Sequence, residues 1–112
     1  MDFYRVYTGD DGESHLEQLD SVAVLEITEP QPTTNILFRE APPGNFIDWH
    51  PAPRRQYIMQ LAGEVEIGFV DGSSVRYWPG DVRLVEDTTG RGHTTSVVSA
   101  VPSITAVVPL AD

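Results

Sequence analysis

The sequence contains no cysteine and no lysine. The first absence removes disulfides, thiolate metal sites and thiolate nucleophiles. The second removes Schiff-base chemistry and the phosphate-binding lysine of a P-loop. All seven bases are arginine, set against seventeen acids, for a formal net charge of −10. A surface of that sign repels nucleic acid and anionic membranes, so neither is expected as a partner. No apolar run approaches the length of a membrane span. The opening "MDFYRVYTGDDGESH" has no basic region followed by an apolar stretch, so no secretory signal is expected and a cytoplasmic location is. Chemistry is left to His15, His50 and His93, to carboxylates, tyrosines, hydroxyls and arginines, or to a bound metal.

Long helical periodicity is missing too. Short apolar or alternating runs recur instead: "SVAVLEIT", "NILFRE", "NFIDWH", "RQYIMQL", "EVEIGFV", "SVRYW", "DVRLVE", "HTTSVVSA" and "SITAVVPL". Each reads as a strand. Between them stand "EPQP", "APPG", "HPAP", "PG" and "DTTGRG", which are turn and loop signals. Val70-Asp71-Gly72-Ser73 predicts a tight hairpin, because Asp-Gly accepts positive φ. The class is therefore all-β, a sandwich or barrel, in one domain over residues 1–112. The more polar residues 1–20 read as an arm or an edge strand.

Two histidines sit in spaced patterns. Gly44 is followed by five residues and then His50; Ala52 comes two later, Gln56 after three more residues, and Gly63 after a further six. Downstream, "PGDVRL" leads to Gly90-Arg91-Gly92-His93, with Thr88 ahead of the glycines and Val97 four residues after the histidine. These patterns resemble the two motifs of the cupin family, G-x5-H-x-H-x3–4-E-x6-G and G-x5-P-x-G-x2-H-x3-N, over roughly residues 35 to 110. The departures are Ala52 for the second histidine, Gln56 for the glutamate, Thr88 for the proline, Val97 for the asparagine, and a loop two residues longer after Gly80.

The resemblance implies a cupin jelly-roll barrel, or double-stranded β-helix. It also implies a small-molecule ligand in the barrel and pairing into a homodimer. Family members hold a divalent metal on the motif residues. Carried over, this assigns metal ligation to His50, Gln56 and His93, with iron, nickel, zinc, manganese or copper as the ion. Two imidazoles and an uncharged amide form a weak donor set. The metal-free alternative makes one histidine a general base and the other an acid or an oxyanion donor. In either version His50 and His93 are the catalytic residues.

Alternation along a strand assigns the remaining groups. With Gln56 inward, Ile58 and Gln60 follow, and Tyr57, Met59 and Leu61 point away. Arg54, Gln56, Gln60 and Thr95 are the expected substrate-binding residues, Arg54 holding an anionic group with its planar fork. The competing reading leaves Arg54 and Arg55 as surface charges. Asp48 shares a face with His50 by the same rule, so it either orients the imidazole, replaces the missing ligand, or is a surface acid beside a turn. Glu86 or Asp87 could hydrogen-bond a histidine, and Thr88 and Thr89 could contact substrate or simply form a turn. Phe46, Trp49, Tyr77 and Trp78 could line the pocket mouth or pack in the core. His15 is expected to be exposed.

Three functions fit. One is an enzyme acting on a small anionic or polar metabolite by metal-assisted or histidine acid/base chemistry, of lyase, isomerase, cyclase or oxygenase type. The second is a non-catalytic binding or sensory module. The third is a scaffold with a vestigial pocket, which requires an interior filled by apolar side chains and distant histidines.

Overall fold

The computed structural model describes residues 1–19 and 29–112. The strand expected over 21–28 lies outside the described residues. The strands in chain order are β1 (Phe3–Thr8), β2 (Ser14–Leu19), β3 (Leu37–Ala41), β4 (Phe46–His50), β5 (Gln56–Ala62), β6 (Val65–Gly68), β7 (Ser74–Tyr77), β8 (Val82–Glu86), β9 (His93–Val97) and β10 (Ser103–Pro109). No described helix is long and apolar enough to cross a membrane. The polar N-terminal segment forms a hairpin: β2 takes the sheet edge, and β1 lies inside, pairing in parallel with β8.

Among the described residues, six strands form one sheet in the order β2-β1-β8-β5-β10-β3, and four form a second in the order β4-β9-β6-β7. The sheets face each other as the jelly-roll barrel expected from the sequence. Alternation decides what lies between them. On β8, Arg83 and Val85 face inward, while Leu84 packs on the outer face with Phe3 and Leu110. Val6, Val65, Ile67, Tyr77, Val85 and Val97 pack together in the interior. Burying such side chains contributes about 1.5–3 kcal/mol each, which makes this cluster the main cohesion between the sheets.

The turns follow from glycine chemistry. Gly72 has φ of 88° in the hairpin joining β6 to β7, closed by the Phe69 N–H on the Ser73 carbonyl at 2.9 Å. At Gly92, with φ of 77°, an added Cβ would lie 1.8 Å from the His50 carbonyl oxygen. Only a glycine lets the start of β9 approach β4 this closely.

Candidate functional site

That approach makes His50 and His93 register partners across β4 and β9. Their rings sit 4.6 Å apart between centroids, inclined at 61°. A cavity of about 420 Å³ opens beside them, lined from β3, β4, β5, β6, β8, β9 and β10. The distant histidines and filled interior that a scaffold requires are not what the barrel contains.

A bulge aims His50. From Ile47, paired with Thr95, to His50, paired with His93, β4 advances three residues while β9 advances two. The extra residue breaks strict alternation, so Ile47 and His50 both line the cavity. Asp48, expected to share the face of His50, is thereby turned out. Its carboxylate accepts from the Trp49 N–H at 2.8 Å, and the acid is exposed. The main-chain carbonyl of Asp48 orients the ring instead, 2.7 Å from His50 Nδ1. A carbonyl only accepts, so Nδ1 carries the proton and Nε2 is free for a ligand.

His93 is buried, and its Nδ1 lies 2.5 Å from Asp87 Oδ2. The same oxygen accepts from the Ser14 hydroxyl at 2.6 Å, and Asp87 is fully buried. The Asp87 carbonyl accepts from the Ala52 N–H at 2.9 Å, tying the end of β8 to the loop after His50. Asp87 therefore holds His93 in the Nδ1–H form, with Nε2 toward the cavity. Of the two acids considered for this role, Glu86 is not the one. It faces the other way and binds Arg5 and Arg55, the latter at 2.8 Å. Burial pushes the Glu86 carboxyl up, but the two guanidiniums together hold it below its ordinary range.

Gln56 and Thr95 line the cavity, as expected of substrate-binding residues, and no described residue hydrogen-bonds the Gln56 side chain. Gln60 and Arg54 do not line it. The Gln60 amide is occupied: Nε2 donates to the Ala62 carbonyl and Ser103 Oγ, each at 2.9 Å, and Oε1 accepts from Arg83 Nη1 at 3.3 Å. Arg54 is exposed in the turn before β5 begins at Gln56, so strand alternation never reaches it. Arg55 pairs with Glu86 and Asp112. Thr88, Thr89, Phe46, Trp49 and Trp78 are exposed and off the cavity, and His15 pairs with Asp11 at 2.9 Å elsewhere on the surface.

Sequence reasoning missed Arg83. It lines the cavity, is only 4% exposed, and stacks over the Tyr77 ring at 4.5 Å. Burial pulls the guanidinium down from its usual range, with Tyr77 acting in the opposite direction. Burial likewise pushes the Tyr77 hydroxyl well up, with Arg83 opposing. The available signal was a single arginine set inside "DVRLVE" with the same parity as Val85. Arg39, on β3, lines the cavity nearer the solvent.

These residues do not fit a transition metal. The family-type donors reduce to His50, His93 and the neutral Gln56; Ala52 supplies none, and no carboxylate among the described residues lines the cavity. Among the described residues no cluster of three or more histidine, cysteine or acidic side chains could hold an ion. Two arginines in the same cavity add repulsion toward any divalent cation.

No family model and no curated protein matches the sequence. Solved structures do. An uncharacterized conserved protein with a double-stranded β-helix domain from Klebsiella pneumoniae is similar at 23% identity and a TM-score of 0.55, over 70% of each chain. A polyketide cyclase from Streptomyces resistomycificus aligns over 96% of this chain and 73% of its own, at 14% identity and a TM-score of 0.58. A cupin-superfamily sugar phosphate isomerase from Silicibacter pomeroyi aligns over 91% of this chain, at 17% identity and a TM-score of 0.56; the match spans 61% of that protein. At these identities the likeness concerns the fold, and the fold of this chain is the cupin double-stranded β-helix.

Proposed function

We propose that the protein is a metal-independent small-molecule enzyme that moves protons with His93 and His50 inside the barrel. The carrying observation is the buried Asp87–His93 hydrogen bond, with the His50 ring 4.6 Å from that of His93 at the edge of a cavity. The two imidazoles would divide the work: a neutral ring is the base at Nε2 and a protonated ring the acid. Asp87 and the Asp48 carbonyl keep both rings presented by the same nitrogen. Gln56 and Thr95, which line the cavity, would orient the substrate's polar groups. Such a pair suits isomerisation, cyclisation or elimination, where a proton leaves one atom and returns to another or to a leaving group. The isomerase and cyclase among the fold's neighbours support the class without selecting within it. Pairing of two copies belongs to the same proposal, supported by exposed Ile36 and Phe38 at β3, the last strand of the larger sheet among the described residues.

The test is incubation of EDTA-treated protein with pooled small organic acids and ketones in D₂O, followed by proton NMR. The expected result is deuterium incorporation or conversion of one component, abolished by His93→Asn and unaffected by the chelator. A ligand bound but returned unchanged would make the protein a binding module, and activity restored only by a metal would overturn the proton-transfer reading.

A further inference from the structure

The interior has an unusual charge balance. In a chain of net charge −10, no acid among the described residues lines the cavity and two arginines do. Arg5, Arg55, Arg76 and Arg91 each hold at least one carboxylate on the surface. Arg83 is the buried member of the set, and its partners among the described residues are neutral: the Gln60 amide oxygen and the Tyr77 ring. A buried guanidinium without a carboxylate is costly, and beyond the bond to Gln60 its N–H donors meet no hydrogen-bond acceptor among the described residues. The rest of the lining is mixed: Ser103 and Thr105 are polar, while Ile58, Val65, Ile67 and Val107 supply a larger hydrocarbon wall, and the cavity volume is at the lower end of the range for small-ligand sites.

We propose that Arg83 anchors the carboxylate of a small, largely apolar acid whose far end meets His93 and His50. The planar fork matches a carboxylate in bidentate fashion, and one buried positive charge matches one negative charge. The apolar walls select a ring or branched hydrocarbon body over a polyhydroxylated one. This assignment rests on the cavity of the proposed function and names the class of its substrate, without depending on the chemistry performed there.

Sodium benzoate and benzamide, matched in shape and differing in charge, are titrated into the full chain by calorimetry. Wild-type protein should bind benzoate at least about tenfold more tightly than benzamide, the scale of a charge-assisted hydrogen bond. Arg83→Gln should lose that preference, and Arg54→Gln, off the cavity, should keep it. Without ligand, Arg83→Met should melt at or above the wild-type temperature, because a buried charge without an acidic partner is removed. Equal binding of the two probes by wild type, preference retained in Arg83→Gln, or tighter Arg83-dependent binding of inorganic phosphate than of benzoate would each overturn the assignment. Should the variants not fold, the wild-type Arg83 Nε–H resonance decides: it must move with benzoate and not with benzamide. Benzoate selectivity without any turnover removes the proposed chemistry and leaves the anchor. His93-dependent turnover of a neutral substrate, without carboxylate preference, does the reverse.

Discussion

Replacing Asp87 separates its two roles, holding the fold together and fixing a tautomer. Its Oδ2 receives the Ser14 hydroxyl and His93 Nδ1, at 2.6 and 2.5 Å, in a fully buried position. Asp87→Ala strands both donors. Each buried unsatisfied group costs about 1–3 kcal/mol, so the loss should be about 2–6 kcal/mol. Asp87→Asn keeps the shape. Its amide nitrogen takes the place of Oδ2, since the Oδ1 place has no partner to receive an N–H, and donates both to the Ser14 hydroxyl oxygen and toward His93 Nδ1. The ring can answer by moving its proton from Nδ1 to Nε2, which restores the hydrogen bond and removes the lone pair from the cavity. Asp87→Asn should therefore be clearly more stable than Asp87→Ala, and yet impair proton transfer by about 10²–10⁴-fold, the usual worth of a positioned base. Urea unfolding reads the stability difference, and long-range ¹⁵N–¹H correlation spectra read which nitrogen of His93 is protonated. An Asn variant that keeps the proton on Nδ1, or an Ala variant destabilised by less than about 1 kcal/mol, would refute the assignment of Asp87 as the orienting acceptor.

Gly92→Ala should disrupt the site and the fold together. The new Cβ would fall 1.8 Å from the His50 carbonyl oxygen at φ of 77°, so a loss above about 2 kcal/mol and disappearance of His50–His93 ring contacts by NMR are expected; unchanged melting would contradict the close packing. Glu86 should support stability at neutral pH and lose that effect in acid. Its folded carboxyl is held below its ordinary range, so the contribution is complete above about pH 4.3 and disappears as pH falls through the lower folded value. Arg5 and Arg55 are partly solvent-exposed, which limits the effect to about 1 kcal/mol. Glu86→Gln should thus be less stable than wild type at pH 7 and equal to it in strong acid by urea titration; a gap independent of pH would exclude the ion pairs as its source.

Much of the barrel was legible because period-two alternation and turn glycines are local signals. The runs containing β3 to β10 were marked by their residues, and Gly72 by its Asp-Gly turn. The two histidines were legible through spacing, since a register that pairs His50 with His93 depends on fixed loop lengths and on Gly92. What alternation could not give was its own interruption. The bulge after Ile47 sends Asp48 outward and leaves orientation of His50 to a backbone carbonyl, a group the side-chain pattern does not advertise. Gln60 has the inward parity expected of it, but its amide is consumed by Ala62, Ser103 and Arg83, partners distant or invisible in the sequence. The anionic anchor was sought at Arg54 by extending strand alternation back from Gln56, whereas strand geometry begins only at Gln56.

Parity along β8 ties the two halves of the site together. Arg83, Val85 and Asp87 follow one another at intervals of two, and β8, which carries the first two and ends one residue before Asp87, sits between β1 and β5 in the larger sheet. The residue that would anchor a ligand and the residue that fixes the base are thus set by one extended segment, about 13 Å apart along the backbone. Arg83 cannot shift without breaking pairing to β1 or β5, and Asp87, one residue past the strand, is held by the Ala52 N–H on its carbonyl. Val85 between them keeps the intervening wall apolar, so a polar group in mid-ligand meets hydrocarbon there and is disfavoured. Glu86, of opposite parity, is directed to Arg5 and Arg55 on the outer face, which keeps its negative charge from neutralising Arg83. A single alternating run thereby places the cation and the hydrocarbon wall in the cavity and the His93-orienting acid at its end, while a second acid is directed outward.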